Sequence, residues 1–231
     1  VKPRPHNPAV RDSVLSAVKA LLEIVIAALF VVTFLVQPSR IPSQSMEPTV
    51  HVGDFLLLDK QSYALPGALG WILPPARVQR GDLVVFHFPG DPNIHLVKRV
   101  VGIPGDRIRM REGRVLVNGQ PLTEPYAFYT QARPNDFRDN FPSLREADPN
   151  VDPGWWMEMC RSIHQGELTV PPENYFVLGD NRNESEDSRY WGFVPRDAIV
   201  GRPLLVYFAM HSGGSGRSSL LAGLKSWRVL R

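Results

Sequence analysis

The sequence predicts an all-β soluble domain held by an N-terminal transmembrane helix. The one long uncharged apolar run lies near the start, from Ile24 to Val36. Beyond Gln37 the pattern changes to short stretches of branched and aromatic residues separated by Gly, Pro, Asn or Asp, which is how strands and turns alternate. With 231 residues and 43% hydrophobic content, the chain can bury one sizeable core beyond its anchor, or one core with a smaller lobe.

The run Ile24 to Val36 covers only about 20 Å of a hydrocarbon layer about 30 Å thick, at ~1.5 Å per residue. Extending it back to Val14 supplies the length and includes Lys19 and Glu23, one helical turn apart, able to pair or to snorkel. Residues 14–36 are therefore expected as a transmembrane anchor. Lys2, Arg4 and Arg11 place residues 1–13 in the cytoplasm, and everything after Gln37 outside. A cleaved leader shares the basic start, but Gln37-Pro38-Ser39-Arg40 lacks a small-x-small cleavage site. The chain begins at Val1 rather than Met, which leaves room for residues upstream, a further span included.

Strands are expected around Phe55 to Leu58, Leu83 to Phe88, Leu96 to Val101, Arg114 to Val117, Tyr175 to Leu178 and Pro203 to Phe208. Pro89-Gly90-Asp91-Pro92-Asn93 joins two of them as a hairpin, and Ile103-Pro104-Gly105-Asp106 fits a type II turn. The β core thus occupies 37–127 and 168–210, with 128–167 as an inserted irregular lobe and 211–231 as a flexible linker with a basic amphipathic tail. From Gln61 to Ala76 no residue is charged. Leu65, Leu69, Trp71, Ile72 and Leu73 there read as a buried lid or a membrane-dipping loop. The tail from Leu220, with Trp227, suits the headgroup zone.

Composition narrows the function classes. A net charge of +3 with scattered Lys and Arg argues against a nucleic-acid partner. Cys160 is the only cysteine, so no intrachain disulfide forms. His51, His87, His95, Asp54 and Asp82 are conceivable metal ligands, but neither HExxH nor CxxC occurs, and no metal or other cofactor is expected.

The chemistry-bearing stretch is Ile41-Pro42-Ser43-Gln44-Ser45-Met46-Glu47-Pro48-Thr49, just outside the span. A serine hydroxyl becomes nucleophilic only beside a base and with donors for the oxyanion that forms. Lys98 is the candidate base, because strand periodicity puts it on one face with Leu96 and Val100, whose apolar surroundings disfavour its charge. Taken alone, that strand also fits an edge-strand lysine with a solvated head. Asp180, Arg182, Asp187 and Arg189 alternate in sign, which suits ion pairs bracing a loop better than acid catalysis. A membrane-tethered scaffold explains the anchor and the β pattern equally well, but leaves the Ser45 and Lys98 segments unexplained.

Those segments, with Gly179-Asp180-Asn181-Arg182 and Asp187-Ser188-Arg189-Tyr190-Trp191-Gly192, closely resemble the boxes of bacterial type I signal peptidases, in the family's order. The resemblance implies a signal-peptidase-like antiparallel β fold and a Ser/Lys serine endopeptidase of the bacterial inner membrane. Its substrates would be the signal peptides of exported preproteins, cut after an Ala-x-Ala-like site, with membrane lipid and the export translocon nearby. It makes Ser45 the nucleophile, Lys98 the general base, Ser43 an oxyanion donor and Ser185 the residue that orients the lysine. Ile41, Pro42, Met46, Val50, Leu96 and Val97 would bind substrate, although Val50 and Leu96 read equally well as core. Asp180, Arg182, Asp187 and Arg189 would be structural supports. Asn183 departs from the family pattern, which usually has Asp there.

Overall fold

The computed structural model describes residues 8–30, 36–60, 62–63, 76–145, 148–209 and 227–230. Helix α1 (Pro8–Phe30) starts on a proline and then runs without Gly or Pro, as a helix tolerates best. Lys19 Nζ stands 4.0 Å from Glu23 Oε1, the pairing their spacing predicts. Among the described residues no helix is long and apolar enough to cross a membrane. Residues 31–35 of the expected anchor lie outside the described residues, and Val36, expected as its last residue, already belongs to a strand.

The strands are β1 (Val36–Arg40), β2 (Asp54–Asp59), β3 (Leu83–Phe88), β4 (Asp91–Gly102), β5 (Arg107–Arg111), β6 (Arg114–Val117), β7 (Gln120–Pro121), β8 (Ile163–His164), β9 (Glu167–Thr169), β10 (Asn174–Leu178), β11 (Val194–Pro195), β12 (Ile199–Ala209) and β13 (Arg228–Val229). Three short helices join them, α2 (Asp136–Asp139), α3 (Pro153–Ser162) and α4 (Ser188–Trp191). The larger sheet runs β1-β2-β12-β3-β4-β10-β11, with β13 added to β12, and a smaller one runs β7-β6-β5-β9-β8. Every described pairing within them is antiparallel.

All six expected strand runs lie inside observed strands. Strict alternation shows in β2, where Asp54, Leu56 and Leu58 are buried and their neighbours half-exposed, the period of a half-buried strand. The β3–β4 hairpin turns on Pro89-Gly90 alone, because Phe88 already pairs with Asp91. The Ile103 turn has its expected form: Gly105 takes φ +88°, and Asp106 N donates to Ile103 O at 3.0 Å.

The segment 128–167 is not irregular, as expected, but carries α2 and α3. Asp152 caps α3 by accepting from Trp155 N at 2.8 Å, and Pro153 opens the first turn, a strong helix start. Trp155 and Met159, four apart, share one face. With Phe137, Phe141 and Val151 they fill the core against Ile108, Met110 and Leu168. The segment therefore completes the small sheet's core. Most of the apolar stretch Gln61 to Ala76 and of the region 211–231 lies outside the described residues.

Candidate active site

Ser45 sits in a single 3-10 turn, Gln44–Met46, between side chains sunk in the core. Ile41, Met46 and Val50 pack with Leu56, Leu58, Leu83 and Val85. The Ser45 carbonyl accepts from Asn181 N at 3.1 Å, and Thr49 Oγ1 donates to Asp180 Oδ2 at 2.6 Å. From the other side Arg228 donates to Thr49 O at 3.1 Å and to Asp54 Oδ2 at 2.7 Å.

Lys98 lies on β4, an interior strand between β3 and β10, paired with Val84 just before the β10 ladder begins at Arg99, so the edge-strand alternative with a solvated head does not hold. It is 3% exposed. Its Nζ stands 2.7 Å from Ser45 Oγ and 3.0 Å from Ser185 Oγ, and Ser43 Oγ is 3.2 Å from Ser45 Oγ. Burial lowers the Lys98 pKa to about 8, with Asp187 pulling the other way and Arg189 adding to the depression. Without a Cβ at Gly179 the two serines can close around the lysine. A Cβ there would lie 2.5 Å from the Ser45 carbonyl oxygen and overlap Ser185.

All four alternating charges are ion-paired, two of them with partners outside their own loop. Arg99 grips Asp180 with two bonds of 2.8 and 2.7 Å and lies 3.9 Å over the Tyr126 ring. Arg182 holds Glu124 at 2.8 and 2.5 Å. Only Asp187 and Arg189 pair with each other, at 2.8 Å twice, and Asp187 also accepts from Gly179 N. Burial disfavours the Asp187 carboxylate, but the Arg189 guanidinium, Lys98 and the Gly179 N–H together outweigh it and hold the pKa below its usual value. Such pairs are costly to break, because the partner is left charged and dry. Asn183 donates to Thr130 O at 2.6 Å, tying the loop to the neighbouring segment.

A cavity of about 600 Å³ opens over the serine-lysine contact, lined by Ser43, Ser45, Leu96, Lys98 and Ser185, with Phe88, Ile94, Tyr190 and Trp191 as apolar walls. The sequence profile of the family described as "Signal peptidase, peptidase S26" matches residues 14–208. The chain belongs to the signal peptidase family, peptidase S26. It is 37% identical over 206 residues to a signal peptidase I of Pseudomonas fluorescens, covering 83% of this chain and 71% of that one. Identity to a signal peptidase I of Leptolyngbya laminosa is 33% over 220 residues, covering 92% and 89%. A solved signal peptidase I from Enterococcus faecalis V583 aligns with a TM-score of 0.36 at 27% identity, over 55% of this chain and 96% of that one.

As a member of this peptidase family the chain is a serine peptidase hydrolase, and the scaffold alternative falls away. Of the six residues expected to meet substrate, only Leu96 lines the cavity. Ile41, Met46 and Val50 are core, Val97 packs on that core, and Pro42 is exposed. Glu124, Arg99, Gly179 and the walls Phe88 and Ile94 were not read as site residues from the sequence. Exposed apolar residues at a hairpin tip were the signal for the last two. Among the described residues the candidate metal ligands do not gather in threes: His87 and His95 lie ring beside ring, tilted, at 4.5 Å, Asp54 holds Arg228, and Asp82 accepts from Tyr63.

Proposed function

We propose that the chain is a membrane-anchored signal peptidase I that removes signal peptides from exported preproteins, with Ser45 as nucleophile and Lys98 as general base. The 2.7 Å contact between Lys98 Nζ and Ser45 Oγ, in a site that disfavours the ammonium, supports this reading most strongly. Ser45 Oγ attacks the scissile carbonyl while its proton passes to Nζ, and Ser185 holds the amine in line. The Ser45 backbone N–H and the Ser43 hydroxyl, turned from its present contact, receive the oxyanion. Lys98 then protonates the leaving amine, and water activated by the neutral lysine frees the acyl group.

Because the base must be neutral, kcat/KM should climb tenfold per pH unit below the Lys98 pKa and level off above about 8. The folded pKa lies below the unfolded value of 10.5. Between those limits the unfolded chain binds more protons, so stability also rises with pH. A rate profile that is flat from pH 6 to 9 would remove Lys98 as the base.

Specificity for small residues is assigned to the cavity wall at Leu96, which is backed by the core of Val84, Phe86 and Val100. Replacing the small residue before the cut, or the one two positions earlier, with Phe is expected to lower cleavage by roughly a hundredfold or more, since close-packed walls do not enlarge cheaply. Mass spectrometry of preprotein digests checks this, and equal cleavage of Ala and Phe substrates would contradict it.

Anchoring is assigned to the segment that begins at residue 14 and ends before β1, with the N-terminus in the cytoplasm and the β domain outside the bacterial inner membrane. In support, Leu21, Ile24, Ile26 and Leu29 of α1 are exposed, as lipid-facing residues are. Lipid and the translocon would be its neighbours there.

A further inference from the structure

Beside the catalytic cavity lies a second one, of about 580 Å³, that this mechanism leaves unused. The two share Phe88 and Trp191, whose rings meet edge to face at 5.6 Å. Its walls are held firmly. Trp155 Nε1 donates to Arg189 O at 3.0 Å, and its ring abuts Phe193 at 5.1 Å. Gly192, at φ +96°, brings the backbone so close that a Cβ would lie 2.8 Å from the Trp155 ring. Pro89, Pro171 and Pro195 complete the apolar surface, and the charged residues lining it are Asp152 and Glu158, with no Lys or Arg. One Asp152 oxygen caps α3. Its second oxygen and the Glu158 carboxylate have no hydrogen-bond partner among the described residues.

We propose that this second cavity extends the substrate cleft and takes a lysine or arginine side chain of the preprotein, a few residues from the cut bond. The inference rests on the signal peptidase reading above. Aromatic faces with carboxylates at the rim suit a cation on an apolar stem. The occupant is the substrate because the cavities adjoin across Phe88 and Trp191, so an extended peptide advancing ~3.3 Å per residue can run from one into the other.

The test uses the full-length enzyme in detergent and an otherwise uncharged cleavable peptide, with one lysine placed in turn at each position around the cut. At one or two positions on one side, lysine should raise kcat/KM roughly threefold to tenfold, chiefly through KM, with the gain shrinking as salt increases. In Asp152→Asn/Glu158→Gln, where Asn still caps the helix, the gain should vanish while the uncharged peptide is cut at the wild-type rate. Glu158→Lys should instead favour a glutamate peptide. A rate independent of lysine position, or a gain that survives in the double variant, overturns the proposal. Failure of the wild type to cut even the uncharged peptide overturns the signal peptidase reading, and this inference with it.

Discussion

Ser45→Ala and Lys98→Ala are each expected to lower preprotein cleavage by about four orders of magnitude or more, with the fold retained. In the proposed mechanism the two side chains, 2.7 Å apart, act as one proton-transfer unit, so the double variant should be hardly worse than either single one. Lys98→Arg should be equally inactive, because a guanidinium keeps its proton. In Lys98→Ala the Ser45 and Ser185 hydroxyls lose the amine that each contacts, but no buried charge is orphaned. The thermal midpoint should therefore hold. Turnover near wild type in any of these variants, with the fold verified by circular dichroism, would refute the dyad.

Gly179→Ala should lower turnover too, by a smaller factor and from outside the serine-lysine contact. The added methyl would meet the Ser45 carbonyl oxygen at 2.5 Å as well as Ser185, and one of these is backbone that cannot swing aside. Overpacking of this kind costs about 1–3 kcal/mol. A displacement of the order of 1 Å at reacting atoms lowers the rate roughly a hundredfold. Gly119→Ala is the control: φ is +78° there but nothing lies within 4 Å, so stability should drop by about 1 kcal/mol with kcat unchanged. Equal kinetics for the two variants would mean that Gly179 does not set the spacing of the serines.

The strands were legible because their period is local: Leu56 and Leu58 announce a buried face within six residues. Lys98 was only half legible in this way: Leu96 and Val100 share its side of the strand, but that strand alone fits a solvated edge lysine too, and its burial depends on distant partners such as Ser45 and Ser185. The segment 128–167 was misjudged although Asp152-Pro153 is a helix start, because charges and prolines on either side masked the single turn joining Trp155 to Met159. Ion-pair partners could not be read either. Nothing local links Arg182 to Glu124, 58 residues away, and alternating signs within one loop suggested pairing inside it. The same holds for Ile41, Met46 and Val50, whose place in core rather than cavity is decided by β2, β3 and β12.

Arg228 reaches Thr49 across 179 residues of chain, and β2 pairs with β12 from the far end of the domain. A ribosome delivers these parts in order, at roughly 5–20 residues per second, so the Ser45 turn emerges well before the strand and the arginine that fix it. For most of its own synthesis the hydrolase is therefore unassembled. A chain stalled before residue 199 is expected to be inert towards preprotein, so a half-made enzyme has no blade to turn on its neighbours.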